Sequence, residues 1–126
     1  MDRLEVLIVE DEPLIAGLFA DIMEEMGHHV CAVESTEAGA VAAALKWQPH
    51  LMIVDAGLAR GSGIVAVQTI LQADFVPHIF VSGERLAGSD LDSRAIVLQK
   101  PFRESDLAAA IDRALGGRPA PPTEDR

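Results

Sequence analysis

Cysteine, tyrosine and cationic side chains are what this 126-residue chain has least of. It holds one cysteine, no tyrosine, one tryptophan and four phenylalanines, and its 10 Lys and Arg face 20 Asp and Glu for a net charge of −10. A single Cys31 excludes an internal disulfide and fits a reducing cytoplasm; placed mid-strand, it reads as a small core hydrophobe. The shortage of clustered cations argues against duplex nucleic acid as a partner, because phosphate contacts need Lys and Arg. No apolar run approaches the roughly 20 residues a membrane helix requires. Met1-Asp2-Arg3-Leu4 lacks the basic and then apolar pattern of a secretory signal. Both absences agree with a cytoplasmic protein without a membrane partner. Aromatics are 4% of the chain while hydrophobic residues are 49%, so the core is built from Ala, Val, Leu and Ile. The length suits one domain.

What is present is an alternation of short apolar runs with helical patterns. Leu4–Val9, His29–Glu34, Leu51–Val54, His78–Val81 and Ala95–Leu98 read as strands. Between the first two, Pro13 opens a helix with Leu14, Leu18, Ile22 and Met26 as its apolar stripe, and Gly27 ends it. Ser35 or Thr36 caps a helix carrying Ala38, Val41, Ala42 and Leu45, which closes near Pro49 and places Trp47 over the sheet edge. Ile64, Val67, Ile70 and Leu71 mark a third helix. Leu107, Ala110, Ile111, Ala114 and Leu115 mark the last, stopped by Gly116-Gly117. Gly83–Arg94 is rich in Gly, Ser and Asp, so the fourth helix of the alternation is expected to be short or mobile. The tail 118–126, with three prolines and no stripe, is expected to be disordered. Five β-α steps predict an α/β fold, a three-layer, doubly wound, five-stranded parallel sheet with right-handed crossovers.

Four polar sites stand where the apolar runs end: Glu10-Asp11, Asp55, Ser82 and Lys100-Pro101. In an open parallel sheet, ligands bind at the carboxyl ends of the strands, so these sites should converge on one crevice. Three carboxylates brought together repel one another unless a cation sits among them, and an all-oxygen cluster suits Mg²⁺. Lys100 offers a compact positive charge and Ser82 a hydroxyl donor. A carboxylate such as Asp55 can act as a nucleophile that forms an aspartyl phosphate.

With Leu7-Ile8-Val9-Glu10-Asp11-Glu12, Ile53-Val54-Asp55, Val81-Ser82-Gly83 and Lys100-Pro101-Phe102 in this order, the chain resembles a response-regulator receiver domain of two-component signalling. The resemblance runs from about Leu4 to Leu115. It implies a flavodoxin-like strand order of 2-1-3-4-5 and a receiver over residues 1–117. It also implies that Asp55 is the phosphoacceptor, that Asp11 binds Mg²⁺ directly and Glu10 through water, and that the Gly57 carbonyl completes the protein's share with Asp55. Ser82 would follow the phosphoryl group on switching. Lys100 would bind phosphate, aimed by a cis bond before Pro101. A histidine kinase or histidine phosphotransfer protein would supply the phosphoryl group, and a downstream protein target would read it. Hydrolysis would be slow autodephosphorylation at most, so the chain is not expected to be an enzyme in its own right.

Three departures qualify the resemblance. Ala59 stands where family members usually carry proline, Val97 stands where the switch aromatic belongs, and Ser82 to Lys100 is short. Pro77-His78-Ile79-Phe80-Val81-Ser82-Gly83 also looks like the Phe-Ala-Thr-Gly variant subgroup of single-domain receivers. Val97 motivates one alternative, a receiver-fold adaptor that works without phosphorylation. Another is a phosphohydrolase with an aspartate nucleophile, which the absence of a second Asp two residues after Asp11 disfavours. Gly61–Ala66 formally fits G-x-G-x-x-A, but it begins too far beyond Asp55 for the tight turn that cradles a pyrophosphate. His28, His29, His50 and His78 lack metal-ligand spacing and are expected at the surface.

Overall fold

The computed structural model describes residues 3–116, so the expected tail lies outside the described residues. The strands are β1 (Glu5–Val9), β2 (His29–Glu34), β3 (Leu51–Asp55), β4 (His78–Ser82) and β5 (Ile96–Gln99). They pair in parallel in the order β2-β1-β3-β4-β5, as expected. The helices are α1 (Pro13–Glu25), α2 (Glu37–Trp47), α3 (Gly63–Leu71) and α4 (Glu104–Ala114). Between β4 and β5 the chain makes a single 3-10 turn, Gly88–Asp90. The fold is the flavodoxin-like doubly wound sandwich, with four α-helices rather than five among the described residues.

Alternation along the strands divides the core between the two faces of the sheet. Val6 and Ile8, Leu51 and Ile53, and Ile79 and Val81 join Phe19, Ile22 and Met23 of α1 and Leu107 and Ile111 of α4. Leu7, Val9, Met52, Val54 and Phe80 join Ala40, Ala43 and Ala44 of α2 and Val67 and Ile70 of α3. The central strands are buried on both sides, which is why they read as unbroken apolar runs.

Two helical faces differ from expectation. A spacing of four advances about 40° per step around a helix, so Leu14, Leu18, Ile22 and Met26 do not share one face. Ala16, Phe19, Ile22 and Met23 meet the sheet, while Leu14 and Leu18 are exposed. In α2 the buried residues are Ala40, Ala43 and Ala44, small enough to bring the helix close, and Leu45 faces outward. Thr36 is its cap, accepting the Gly39 N–H at 3.0 Å. Trp47 is half exposed, with the Lys46 ammonium 4.8 Å from its ring centre.

His28 and His78 are buried, contrary to the surface expectation. His28 follows the α1 turn, and its Nδ1 accepts the Leu4 N–H at 3.2 Å, which ties it to the start of β1. His78 opens β4 edge-on to Phe80 (centroids 5.3 Å apart), with Nδ1 2.7 Å from the Val76 carbonyl. Burial pushes its pKa down from the ordinary histidine value.

Candidate functional site

β1 and β3 are adjacent, so Glu10 and Asp11 just beyond β1 lie beside Asp55 at the end of β3. One carboxylate oxygen from each of the three lies within 4.8 Å of the others. Glu10 is the deepest, only 3% exposed. Its Oε2 accepts the Glu12 N–H at 3.1 Å, while Oε1 is buried with no hydrogen-bond partner among the described residues. Desolvation pushes the Glu10 carboxyl up to about 7; the Glu12 N–H opposes this most, Asp55 adds to it through its charge and through a hydrogen bond to the protonated form, and Lys100 opposes it weakly. A buried carboxylate oxygen with no donor is costly, and a cluster of three carboxylates is a donor set that a hard cation fits.

Asp11 and Asp55 are half-buried and each is held by the main chain. Asp55 Oδ1 accepts the Gly57 N–H at 3.0 Å, and Asp11 Oδ2 accepts the Ala59 N–H at 2.6 Å. The loop from Ala56 to Ser62 therefore wraps the acids from one side. Its far end is fixed to α2: Glu37 accepts the Ser62 N–H at 3.0 Å and donates its own N–H to the Arg60 carbonyl at 3.2 Å. Gly63 opens α3 against the back of Asp55, where an added Cβ would lie 2.0 Å from the Asp55 carbonyl oxygen. Only glycine allows this approach.

On the other side, β4 and β5 deliver Ser82 and Lys100. The buried Ser82 hydroxyl donates to the Glu84 carbonyl at 2.7 Å and accepts the Glu84 N–H at 3.0 Å, so it is committed to its own turn. The Lys100 N–H donates to the Ser82 carbonyl at 2.8 Å, and the Lys100–Pro101 bond is cis. Phe102 stacks on Phe19 of α1 at 5.9 Å with the rings 4° from parallel, anchoring the loop that carries Lys100. Val97 pairs in register with Phe80 and is 41% exposed. A groove of about 370 Å³ between α2 and α3, lined by Leu45, Pro49, Ile70 and Phe75, opens near the amino ends of β3 and β4 and takes no part in this cluster.

The structure thus brings Glu10, Asp11 and Asp55 together and places Ser82, Lys100 and Gly57 at the same edge of the sheet. Sequence reasoning missed three contributors: the Ala59 N–H, the Glu37 clamp and the Phe19–Phe102 stack. Main-chain donors leave no mark in side-chain identity. For Ala59, the missing proline was the available signal.

Comparison with known proteins agrees with this geometry. The phyllosphere-induced regulator PhyR of Methylorubrum extorquens is 38% identical over 115 residues, covering 88% of this chain and 43% of the relative. The PhyR receiver domain of Erythrobacter litoralis superposes with a TM-score of 0.83 at 37% identity, covering 96% of both chains. The anti-anti-sigma factor PhyR of Bartonella quintana gives 0.76 at 34% identity, covering 92% of this chain and 49% of that one. The chain spans about half the length of these longer relatives. The family model described as response regulator receiver domain matches residues 6–112, and the chain belongs to that family.

Proposed function

We propose that Asp55 accepts a phosphoryl group from a histidine kinase or histidine phosphotransfer protein and that the modified domain changes its binding to a protein target. One Asp55 carboxylate oxygen attacks phosphorus as the phosphorus–nitrogen bond of the donor phosphohistidine breaks, and the departing imidazole takes up a proton. The observation that carries this reading is the cluster itself: Asp55 within 4.8 Å of Glu10 and Asp11, with Glu10 Oε1 buried and unpartnered.

Each side chain has a part that its position supports. The Gly57 N–H fixes Oδ1 of Asp55 and so orients the carboxylate for in-line attack. Lys100, close enough to lower the Glu10 pKa, lends positive charge to the phosphoryl oxygens. The Ser82 hydroxyl can exchange the Glu84 carbonyl for a phosphoryl oxygen. Glu10, Asp11, Asp55 and the Gly57 carbonyl are the groups that would hold Mg²⁺. When bound, Mg²⁺ supplies charge compensation for the clustered carboxylates and the incoming phosphoryl oxygens. Water resets the state slowly, which makes the domain a regulator rather than a turnover catalyst. The Bartonella relative is described as an anti-anti-sigma factor, and this chain's charge of −10 likewise favours a protein target over nucleic acid.

Incubation with Mg²⁺ and acetyl phosphate, followed by intact mass measurement, tests the reading. One phosphoryl adduct is expected on the wild type and none on Asp55→Asn. An adduct that persists in Asp55→Asn, or its absence from both, overturns the assignment. The exposed Val97, in the place of the switch aromatic, favours a second reading in which partner binding does not need phosphorylation. Equal partner affinity for wild type and Asp55→Asn is its signature.

A further inference from the structure

We propose that the main-chain N–H of Ala59 is a positioning donor for Asp11, and that Mg²⁺ affinity in this chain depends on a residue other than proline at position 59. The inference rests on the reading of the acidic cluster as a Mg²⁺ site, but it concerns a different group and a different measurement.

Asp11 sits beyond the end of β1, where no strand ladder fixes it. Its Oδ2 is held by the Ala59 N–H at 2.6 Å, across 48 residues of chain. Among the described residues no hydrogen bond engages Oδ1, so one oxygen is anchored and the other is uncommitted. The neighbouring carboxylates of Glu10 and Asp55 push Asp11 away in the absence of a cation. A single N–H at this distance opposes that push and limits the rotations open to the carboxylate. Ligands already in place bind a cation with less ordering cost.

The donor is itself rigidly presented. Gly61 has a φ of +94°, with the Glu37 side chain packed against it. Glu37 also takes the Ser62 N–H and gives its own N–H to the Arg60 carbonyl. The strap 59–62 is thus fixed at one end to Asp11 and at the other to the start of α2. Proline has no N–H, so a proline at 59 would cut the first of these ties and leave the second intact.

The test is calorimetric titration of the full chain with Mg²⁺ alone, comparing wild type, Ala59→Pro and Ala59→Ser. Partners that orient metal ligands are typically worth 10–100-fold in affinity. Ala59→Pro is expected to bind about tenfold more weakly at an unchanged thermal midpoint, and Ala59→Ser, which restores the N–H, is expected to return the affinity. Wild-type affinity in Ala59→Pro, or equal loss in both variants, overturns the inference. If Ala59→Pro does not fold, amide exchange decides. The Ala59 N–H should be protected in the wild type and exchange freely in Asp11→Ala, and equal protection in the two sinks the proposal. A wild type that binds no Mg²⁺ overturns the reading of the cluster and this inference together, whereas a wild type that binds beside an unaffected Ala59→Pro overturns the inference alone.

Discussion

Glu10 is where the local physics is most exposed to test. Its carboxyl is buried, faces Asp11, Asp55 and Lys100, and is raised from 4.5 to about 7 chiefly by desolvation. A group whose folded pKa lies above its unfolded value stabilises the fold at low pH, and that stabilisation is lost as pH rises through the folded pKa. The metal-free protein should therefore be strained by Glu10 at pH 8 and relaxed at pH 5. Glu10→Gln removes the charge while keeping the shape. We expect it to raise the metal-free unfolding free energy at pH 8 by about 1–3 kcal/mol, the shift being discounted for solvent screening, to change little at pH 5, and to weaken Mg²⁺ binding. Denaturant melts at the two pH values decide, and destabilisation of the variant at pH 8 would contradict the burial argument. His78 has the opposite sign. Its pKa is lowered by burial, so its contribution is present above the unfolded value of 6.5 and lost as pH falls below it. His78→Phe should flatten the fall in stability between pH 7 and 5, and an unchanged slope would show that His78 does not protonate on unfolding.

Among the elements, the junction of β3 with α3 leaves no room for a side chain at Gly63. Gly63 lies so near the Asp55 carbonyl that a methyl group cannot enter without moving backbone. Overpacking of this kind costs about 1–3 kcal/mol, and Gly63→Ala should show it as a lower denaturant midpoint with an unchanged slope. Because the displaced backbone carries Asp55, Mg²⁺ affinity should fall as well; an unaffected midpoint would mean that the approach is looser than described. Element identity was legible in the sequence because the central strands are buried on both faces and leave unbroken apolar runs. The strand-end acids, Ser82 and Lys100 were legible for the same reason, each marking where a run stops. Helix facing was less legible. In α1 the large Leu14 and Leu18 drew the stripe toward solvent, while small Ala16 and the better-phased Phe19 and Met23 packed inward. In α2 the alanines are so similar along the helix that composition alone leaves its phase undetermined. The burial of His28 and His78 depends on backbone partners at Leu4 and Val76, which a side-chain pattern does not carry.

Across the whole molecule, the two sides of the site are unequally supported. On the β1–β3 side, Asp11, Ala59, Glu37 and Gly63 form a continuous set of short contacts reaching α2 and α3. On the β4–β5 side, the chain from Gly83 to Arg94 has one 3-10 turn, and Leu86, Leu91 and Ala95 pack against the core cluster that includes Phe80. It is held to α3 by Gln68, which donates to the Asp90 carbonyl at 3.0 Å, and near Phe75 by Arg94, 3.6 Å over the ring. A hollow of about 260 Å³ lies between this segment and α3, lined by Ile64, Val67, Leu71 and Phe80. The Ser82 hydroxyl closes the turn that starts the segment. If that hydroxyl takes a phosphoryl oxygen as its new partner, the turn at Glu84 is released and the sparsely held side responds while the tightly held side does not. Hydrogen exchange with Mg²⁺ and acetyl phosphate should therefore change across residues 84–91 and stay constant in the buried turns of α1 and α2. Ser82→Ala should still form the phosphoryl adduct yet lose the exchange response. An adduct with unchanged exchange over 84–91 would place the output on the strap side, through Ala59 and Glu37 to α2, and remove Ser82 from the switch.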